Sequence, residues 1–298
     1  LPGPAYREGL RMSNLRFQGG LVDGLNVLQA NSVIDGCTVE YCGGKYDTGN
    51  GYYFGNGIDL TCGGPATSSG TIIQNCTIRY VYDSPISPQN YSGGGSVIEN
   101  WTIKNNTIYE FGLAGIEVST QAAAGGTVRN GIITGNYIYN GGPYNNQGST
   151  YFDSRNNIGA GVNIQSNPNN SGNIVTGITI TKNIIKDCAG GVQMVSKTNS
   201  SNTITDNVVY STRRRQSFGV HDQYWASSNH TVIGNIIDNQ DYGISVDNAG
   251  GALNYTVYNN TITNCGSGVA RSSNVTYNLR NNLIQNCGQA ASGSSGSF

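Results

Sequence analysis

Charge is what this 298-residue chain has least of. Asp, Glu, Lys and Arg make up 11% of it, and 16 basic side chains nearly cancel 17 acidic ones. Without clustered cations a phosphate backbone goes unneutralised, which excludes nucleic acid as the partner class. Arg213-Arg214-Arg215 is a short local patch and reads as substrate-side or structural. Long apolar runs are missing too: nothing approaches the roughly 18 residues of a membrane span, so no span is expected. The N-terminus lacks a signal-peptide pattern, as expected of a mature secreted protein or an excised domain. Pro is scarce at 7, and the 7 Cys show no zinc-site spacing, so no metal site and no cofactor are expected. Calcium is left open, since scattered Asp residues and backbone carbonyls supply ligands without any motif that fixes them. Cys42 and Cys62 bracket a long insertion and are the one disulfide candidate, while most of the seven read as small buried hydrophobes.

What the chain has instead is Gly, 43 of them, together with Asn, Ser, Thr and regularly spaced Val and Ile. Two phrases repeat. The first is Gly57-Ile58-Asp59-Leu60, again as Gly115-Ile116-Glu117-Val118, Gly161-Val162-Asn163-Ile164, Gly191-Val192-Gln193-Met194, Gly219-Val220-His221-Asp222 and Gly243-Ile244-Ser245-Val246. Side chains of a strand alternate between faces, so the flanking apolar residues point inward and the middle residue outward. The second phrase, apolar-x-x-Asn-x-apolar, centres on Asn106, Asn136, Asn183, Asn207, Asn235, Asn260 and Asn282, with Cys37 and Cys76 in the same slot and a degenerate first copy near Asn14. The shortest interval is about 22 residues, and a unit that small buries its apolar side only by stacking on its neighbours. Stacked Asn amides at an inward bend then satisfy one another and nearby peptide groups.

On these phrases the chain resembles the right-handed parallel β-helix superfamily of pectate-lyase-like proteins, over residues 10 to 290. The resemblance implies an all-β solenoid of about ten coils with an internal Asn ladder. A single domain is expected over residues 1–290, with a flexible Gly/Ser tail over 291–298. No N-terminal capping helix is evident, so the chain is expected to begin inside a larger protein. The superfamily includes polysaccharide lyases, glycoside hydrolases, epimerases and phage tailspikes; fold alone does not choose among them.

Chemistry is expected on the outward column, which reads Asn26, Asp59, Ser87, Glu117, Asn163, Gln193, His221, Ser245, Ala270. Long insertions (43 to 56, 142 to 160, 213 to 217) fall between the Asn slot and the Gly-Ile-x-Val phrase, so they line one edge of that column. They carry aromatics suited to sugar rings, among them Tyr53 and Tyr151, and Tyr224 and Trp225 face them from the opposite edge. Glu117, one of five Glu, is the candidate general acid, with Asp59 or Asp83 activating water. Strands two coils apart are separated by about 10 Å, close to the roughly 6.5–9.5 Å between the carboxyls of an inverting glycosidase. His221 is a candidate acid/base, and Asn163, Gln193 and Gln89 are candidate substrate ligands. Asp222, in an inward slot, needs a partner, expected from Arg213-Arg214-Arg215; His230 reads as incidental.

A narrower resemblance, to the alginate lyase and chondroitinase B family, rests on Val195-Ser196-Lys197, Asn202 to Val209 and Phe218-Gly219-Val220-His221. It implies Lys197 as a base, with His221 where that family has an Arg. The nearly neutral column favours a neutral or weakly charged glycan. Three readings follow: an inverting glycoside hydrolase, a lyase or epimerase using Lys197 and His221, and a non-catalytic carbohydrate-binding or adhesion module. All three place the protein outside the cell or on its surface, with a polysaccharide as partner.

Overall fold

The computed structural model describes residues 9–47, 52–62, 66–92, 94–120, 125–142, 159–166, 172–195, 199–212, 216–223, 229–247, 253–271 and 275–293. Three parallel sheets of ten strands each wind around one axis, each coil contributing one strand to every sheet. This is the parallel β-helix that the repeat predicts. The described residues contain no helix long and apolar enough to cross a membrane.

The inward residues explain the stack. Ile34, Ile73, Ile103 and Ile133 line the first sheet and Val39, Ile78, Ile108 and Ile138 the second, all with no accessible surface. Ile58, Ile86, Ile116, Val162 and Val192 do the same for the third. Branched side chains suit this interior because their stiff rotamers interdigitate between pleats. The corner between the first two sheets is made by a left-handed residue such as Asn75, Asn105 or Gly135, followed by the ladder residue. In the first coil Asn14 takes that left-handed position (φ 55), so the ladder slot there belongs to Leu15.

The Asn ladder runs unbroken from Asn106 to Asn282. Each Oδ1 accepts from the preceding ladder residue's backbone N–H, at 2.9–3.0 Å, and the amides bond to each other. Cys76 joins it through its N–H to Asn106 Oδ1 at 2.9 Å. The seven Cys are free thiols in the structure, six of them buried, so Cys42 and Cys62 form no bridge.

The glycine of the first phrase is set by the thinness of the coil. A Cβ on Gly115 would lie 2.5 Å from Ile138 Cγ2 and 2.7 Å from the Gly161 carbonyl oxygen. Five middle coils carry a fourth short strand, Thr67–Ser69 through Asn199–Ser200, a sheet the repeat did not announce. The long insertions all leave from the corner between the second and third sheets, after Thr38–Cys42, Tyr137–Gly141 and Val208–Tyr210. The first begins as an antiparallel hairpin, Lys45–Asp47 with Tyr52–Phe54. The last strand, Gln289–Gly293, runs three residues past the 290 expected to end the fold.

Candidate functional site

The third sheet puts the phrase residues in the register their spacing predicts. Asn26 pairs with Asp59, Asp59 with Ser87, Glu117 with Asn163, Asn163 with Gln193, Gln193 with His221, and His221 with Ser245. Ser87 falls opposite Glu117 through the Ile86–Ile116 pair. The column is not the open outer wall expected of it: Asp59 is 4% exposed, Glu117 3% and Asn163 0%. It is a covered seam.

Three of the four candidate catalytic residues come together there with a fourth carboxyl, Asp23. Burial, then the charges of Asp23, Glu117 and Asp83, push the Asp59 carboxyl well above the ordinary Asp value. Asp83 is pushed the same way by burial and then by Glu117, against opposing bonds from Ser84 and the Gly55 backbone. A low-dielectric cluster of like charges favours neutral forms, so it holds protons at pH values where free carboxyls have lost them. Asp59 Oδ1 is buried with no hydrogen-bond partner.

Glu117 sits in the opposite kind of environment. Its Oε2 accepts from Ser84 Oγ at 3.0 Å and from Gln89 Nε2 at 2.6 Å, and its Oε1 accepts a short bond from Gln165 Nε2. Three donors aimed at one carboxylate stabilise its charged form. The two carboxyls therefore sit in contrasting surroundings, Glu117 among three donors and Asp59 pushed upward by burial and like charges.

Asp23 was not singled out from sequence, yet it had a signal. It stands immediately before the Gly of the first, degenerate phrase, Gly24-Leu25-Asn26-Val27, where later coils have Asn56 and Ser84. These three form a chain: the Asn56 N–H donates to Asp23 Oδ1 at 3.0 Å, and the Ser84 N–H to Asn56 Oδ1 at 3.3 Å. Ser84 then reaches Glu117. Gln165 was missed too; it lies two residues beyond Asn163, on the same face of its strand by the period of two.

Farther along the seam, Asn163 has both side-chain amide atoms buried and unpartnered. Gln193 donates to Gln223 at 3.1 Å. His221 lies three coils from Glu117, about 14 Å at the usual strand spacing, so the two do not share one reacting bond. Its Nδ1 is 2.7 Å from Ser245 Oγ, its ring stacks on Phe218 at 4.9 Å, and its Nε2 faces Asp247 at 3.7 Å. Burial lowers its pKa, outweighing Asp247, and keeps it neutral at pH 7. Tyr91, which follows the strand Ile86–Asn90, joins the carboxyl cluster at its edge. Surrounding protein, then Asp59, Glu117, Asp83 and Asp23, hold its phenol protonated although 51% of the residue's surface is exposed.

Asp222 is buried as expected of an inward slot, and two of its neighbours are described. Tyr255 donates a short bond to its Oδ2, and His230 Nε2 lies 3.8 Å from the same oxygen. His230 is therefore a core residue rather than an incidental one. Lys197, Tyr151, Tyr224, Trp225 and Arg213-Arg214-Arg215 lie outside the described residues, as does the side chain of Tyr53. The described residues contain no group of three or more His, Cys, Asp or Glu arranged to hold a metal ion.

Residues 56–222 match the family described as right handed beta helix region. Among solved structures, the surface adhesin PfbA of Streptococcus pneumoniae is similar at a TM-score of 0.52 and 13% identity, over 98% of this chain and 78% of that one. The A-module of a mannuronan C-5 epimerase from Azotobacter vinelandii aligns at a TM-score of 0.45 and 16% identity, over 97% and 78%. At such identities the likeness is one of fold. No curated protein matches the chain.

Proposed function

The chain belongs to the right-handed β-helix family, and from that premise we propose that it is an extracellular polysaccharide-active protein, an inverting glycoside hydrolase acting on a neutral or weakly charged glycan. The observation that supports it is the split between two carboxyls on one seam, Asp59 driven toward its protonated form and Glu117 held by three donors. Titratable groups whose environments push them apart are the usual mark of an acid and a base.

This reverses the roles expected from sequence. Asp59 gives its proton to the glycosidic oxygen as the bond to the anomeric carbon breaks. Glu117 takes a proton from the water that attacks that carbon from the other face. The products are a reducing end and an alcohol, and both carboxyls regain their starting states by exchange with solvent. Asp83, behind Asp59 and Glu117, raises the acid's affinity for its proton. Asn163, Gln89 and Gln193 offer amides to sugar hydroxyls on either side. A uronate would bring its own carboxylate against four others, which argues for a neutral chain.

The test is a polysaccharide panel read by both reducing-sugar release and ultraviolet absorbance. On a substrate that is turned over, Glu117→Gln and Asp59→Asn each lower kcat by about 100-fold or more, with the circular dichroism spectrum unchanged. Undiminished turnover in either variant removes that residue from the reaction, and an ultraviolet-absorbing product replaces hydrolysis with elimination. A second reading is a glycan-binding surface module, favoured by one observation: an anion saturated by Ser84, Gln89 and Gln165 is also what a purely structural carboxylate looks like. Binding without any product across the panel selects it.

A further inference from the structure

The outer face of the second sheet carries a feature that the carboxyl cluster does not use. Four residues beyond most ladder positions, Asn207 excepted, the chain makes a second left-handed corner. Later coils fill that corner mostly with asparagine, Asn140, Asn239, Asn264 and Asn286 at φ 55–56, and otherwise with Glu110 and Asp187 at φ 54 and 51. Asparagine suits this conformation because its short polar side chain bonds locally, whereas bulky residues resist it. Two adjacent coils nevertheless place tyrosines there, Tyr41 at φ 56 and Tyr80 at φ 54. Their rings stack on each other, centroids 4.8 Å apart and planes within 14°, and Tyr41 is 51% exposed. Strained backbone kept where an unstrained residue was available points to a use for the side chain.

The rings border a cleft of about 210 Å³ lined by Tyr41, Cys42, Gly43, Tyr80, Val81 and Tyr82. No ionisable acid or base other than phenol and thiol lines it. Its floor is kept low by Gly43, at φ 88, where a Cβ would lie 2.6 Å from the Gly55 carbonyl oxygen and 2.9 Å from Tyr82 Cβ. The wall is braced from below. Arg79 lies 5.3 Å from the Tyr80 ring centre and 5.8 Å from that of Tyr109, and its Nη1 donates to the Tyr109 hydroxyl at 2.7 Å. Glu40 holds the same guanidinium at 2.8 Å.

We propose that this cleft is a second glycan-binding site, separate from the carboxyl cluster, which takes one uncharged pyranose with all-equatorial substituents, as in a β-linked glucan or xylan. Equatorial substituents leave C–H bonds standing axially on both ring faces, and these pack on the negative face of an aromatic ring. The cleft is sized for one ring rather than a chain. It lies on the second sheet, around the corner from the seam, and Tyr82 is directly followed by Asp83. A polymer held here is kept beside the seam without occupying it.

Saturation-transfer NMR with cellohexaose as probe tests the proposal, with hexagalacturonate as the charged control. The variant is Tyr41→Asn with Tyr80→Asn, which installs the residue that later coils use at this corner and so preserves the turn. The wild type is expected to transfer saturation to the axial C–H protons of cellohexaose, with affinity at least 10-fold weaker in the double variant and no signal from hexagalacturonate. The same result is expected in a Glu117→Gln background, so failure of the hydrolase reading leaves this outcome intact. Equal affinity in the double variant, no binding of cellohexaose by the wild type, or equal binding of the charged probe each overturns the proposal.

Discussion

Asp59 couples the protonation of the carboxyl cluster to the stability of the fold. Its carboxyl is pushed up by burial and by Asp23, Glu117 and Asp83, so the folded chain binds its proton more tightly than the unfolded chain does. The stability this group contributes is complete below the unfolded value of about 3.9 and is lost as pH rises through the folded value. At neutral pH the site is held at a cost. Asp59→Asn is therefore expected to raise Tm at pH 7, by an amount on the order of a few degrees, while the proposed hydrolysis slows by about 100-fold or more. The gain shrinks to nothing below about pH 4. Thermal melts of both proteins across that range check it, and an unchanged or lower Tm at pH 7 would show that Asp59 is not strained. Turnover itself should fall on the alkaline side, as the acid loses its proton.

At the scale of the element, the ladder carries more than one bond per residue. Asn183 donates to the Ile133 and Thr181 carbonyls and to Asn207, and accepts from Asn136. Replacing it with Ala strands buried partners on both sides, at about 2–4 kcal/mol. Urea unfolding measures this, and a loss below about 0.5 kcal/mol would mean that neighbouring groups re-pair. Cys37 and Cys76 show how the first coils manage without the amide: each thiol bonds the carbonyl two residues earlier, Asp35 and Gln74. Such slots were legible in the sequence because one side-chain type recurs at one geometric bend, and the pairing of Asp59, Ser87, Glu117 and Asn163 was legible because a strand's faces alternate. Burial of that column was not legible, since alternation says which way a residue faces and nothing about what covers it. Nor were the contrasting surroundings of Glu117 and Asp59, which depend on Ser84 and Gln89 arriving from one neighbouring coil and Gln165 from another. Tyr255 as a partner of Asp222 was not legible for a related reason: the two are 33 residues apart in sequence and meet only across the solenoid's interior.

The whole molecule has a pH limit set inside that interior. His230 is enclosed beside Asp222 and Tyr255, and burial lowers its pKa to about 4. Its Nδ1 accepts from the Asn202 N–H at 3.2 Å, so the neutral ring carries its proton on Nε2, facing Asp222. The unfolded chain binds a proton at about pH 6.5 that the folded chain refuses until about 4, so stability drains as pH falls through that window, by about 3 kcal/mol in all. His230→Gln should flatten the slope of unfolding free energy against pH between those values. A slope that is unchanged would assign the acid sensitivity to other groups.

Because the long insertions share one corner, the interior carries no record of their length. Strands separated by two residues, Phe111 and Ala114, and strands separated by 18, Gly141 and Ala160, stack in the same register. Loops at that corner are in effect interchangeable parts: one can be exchanged for another of different length while Asp59 and Glu117 keep their places in the third sheet.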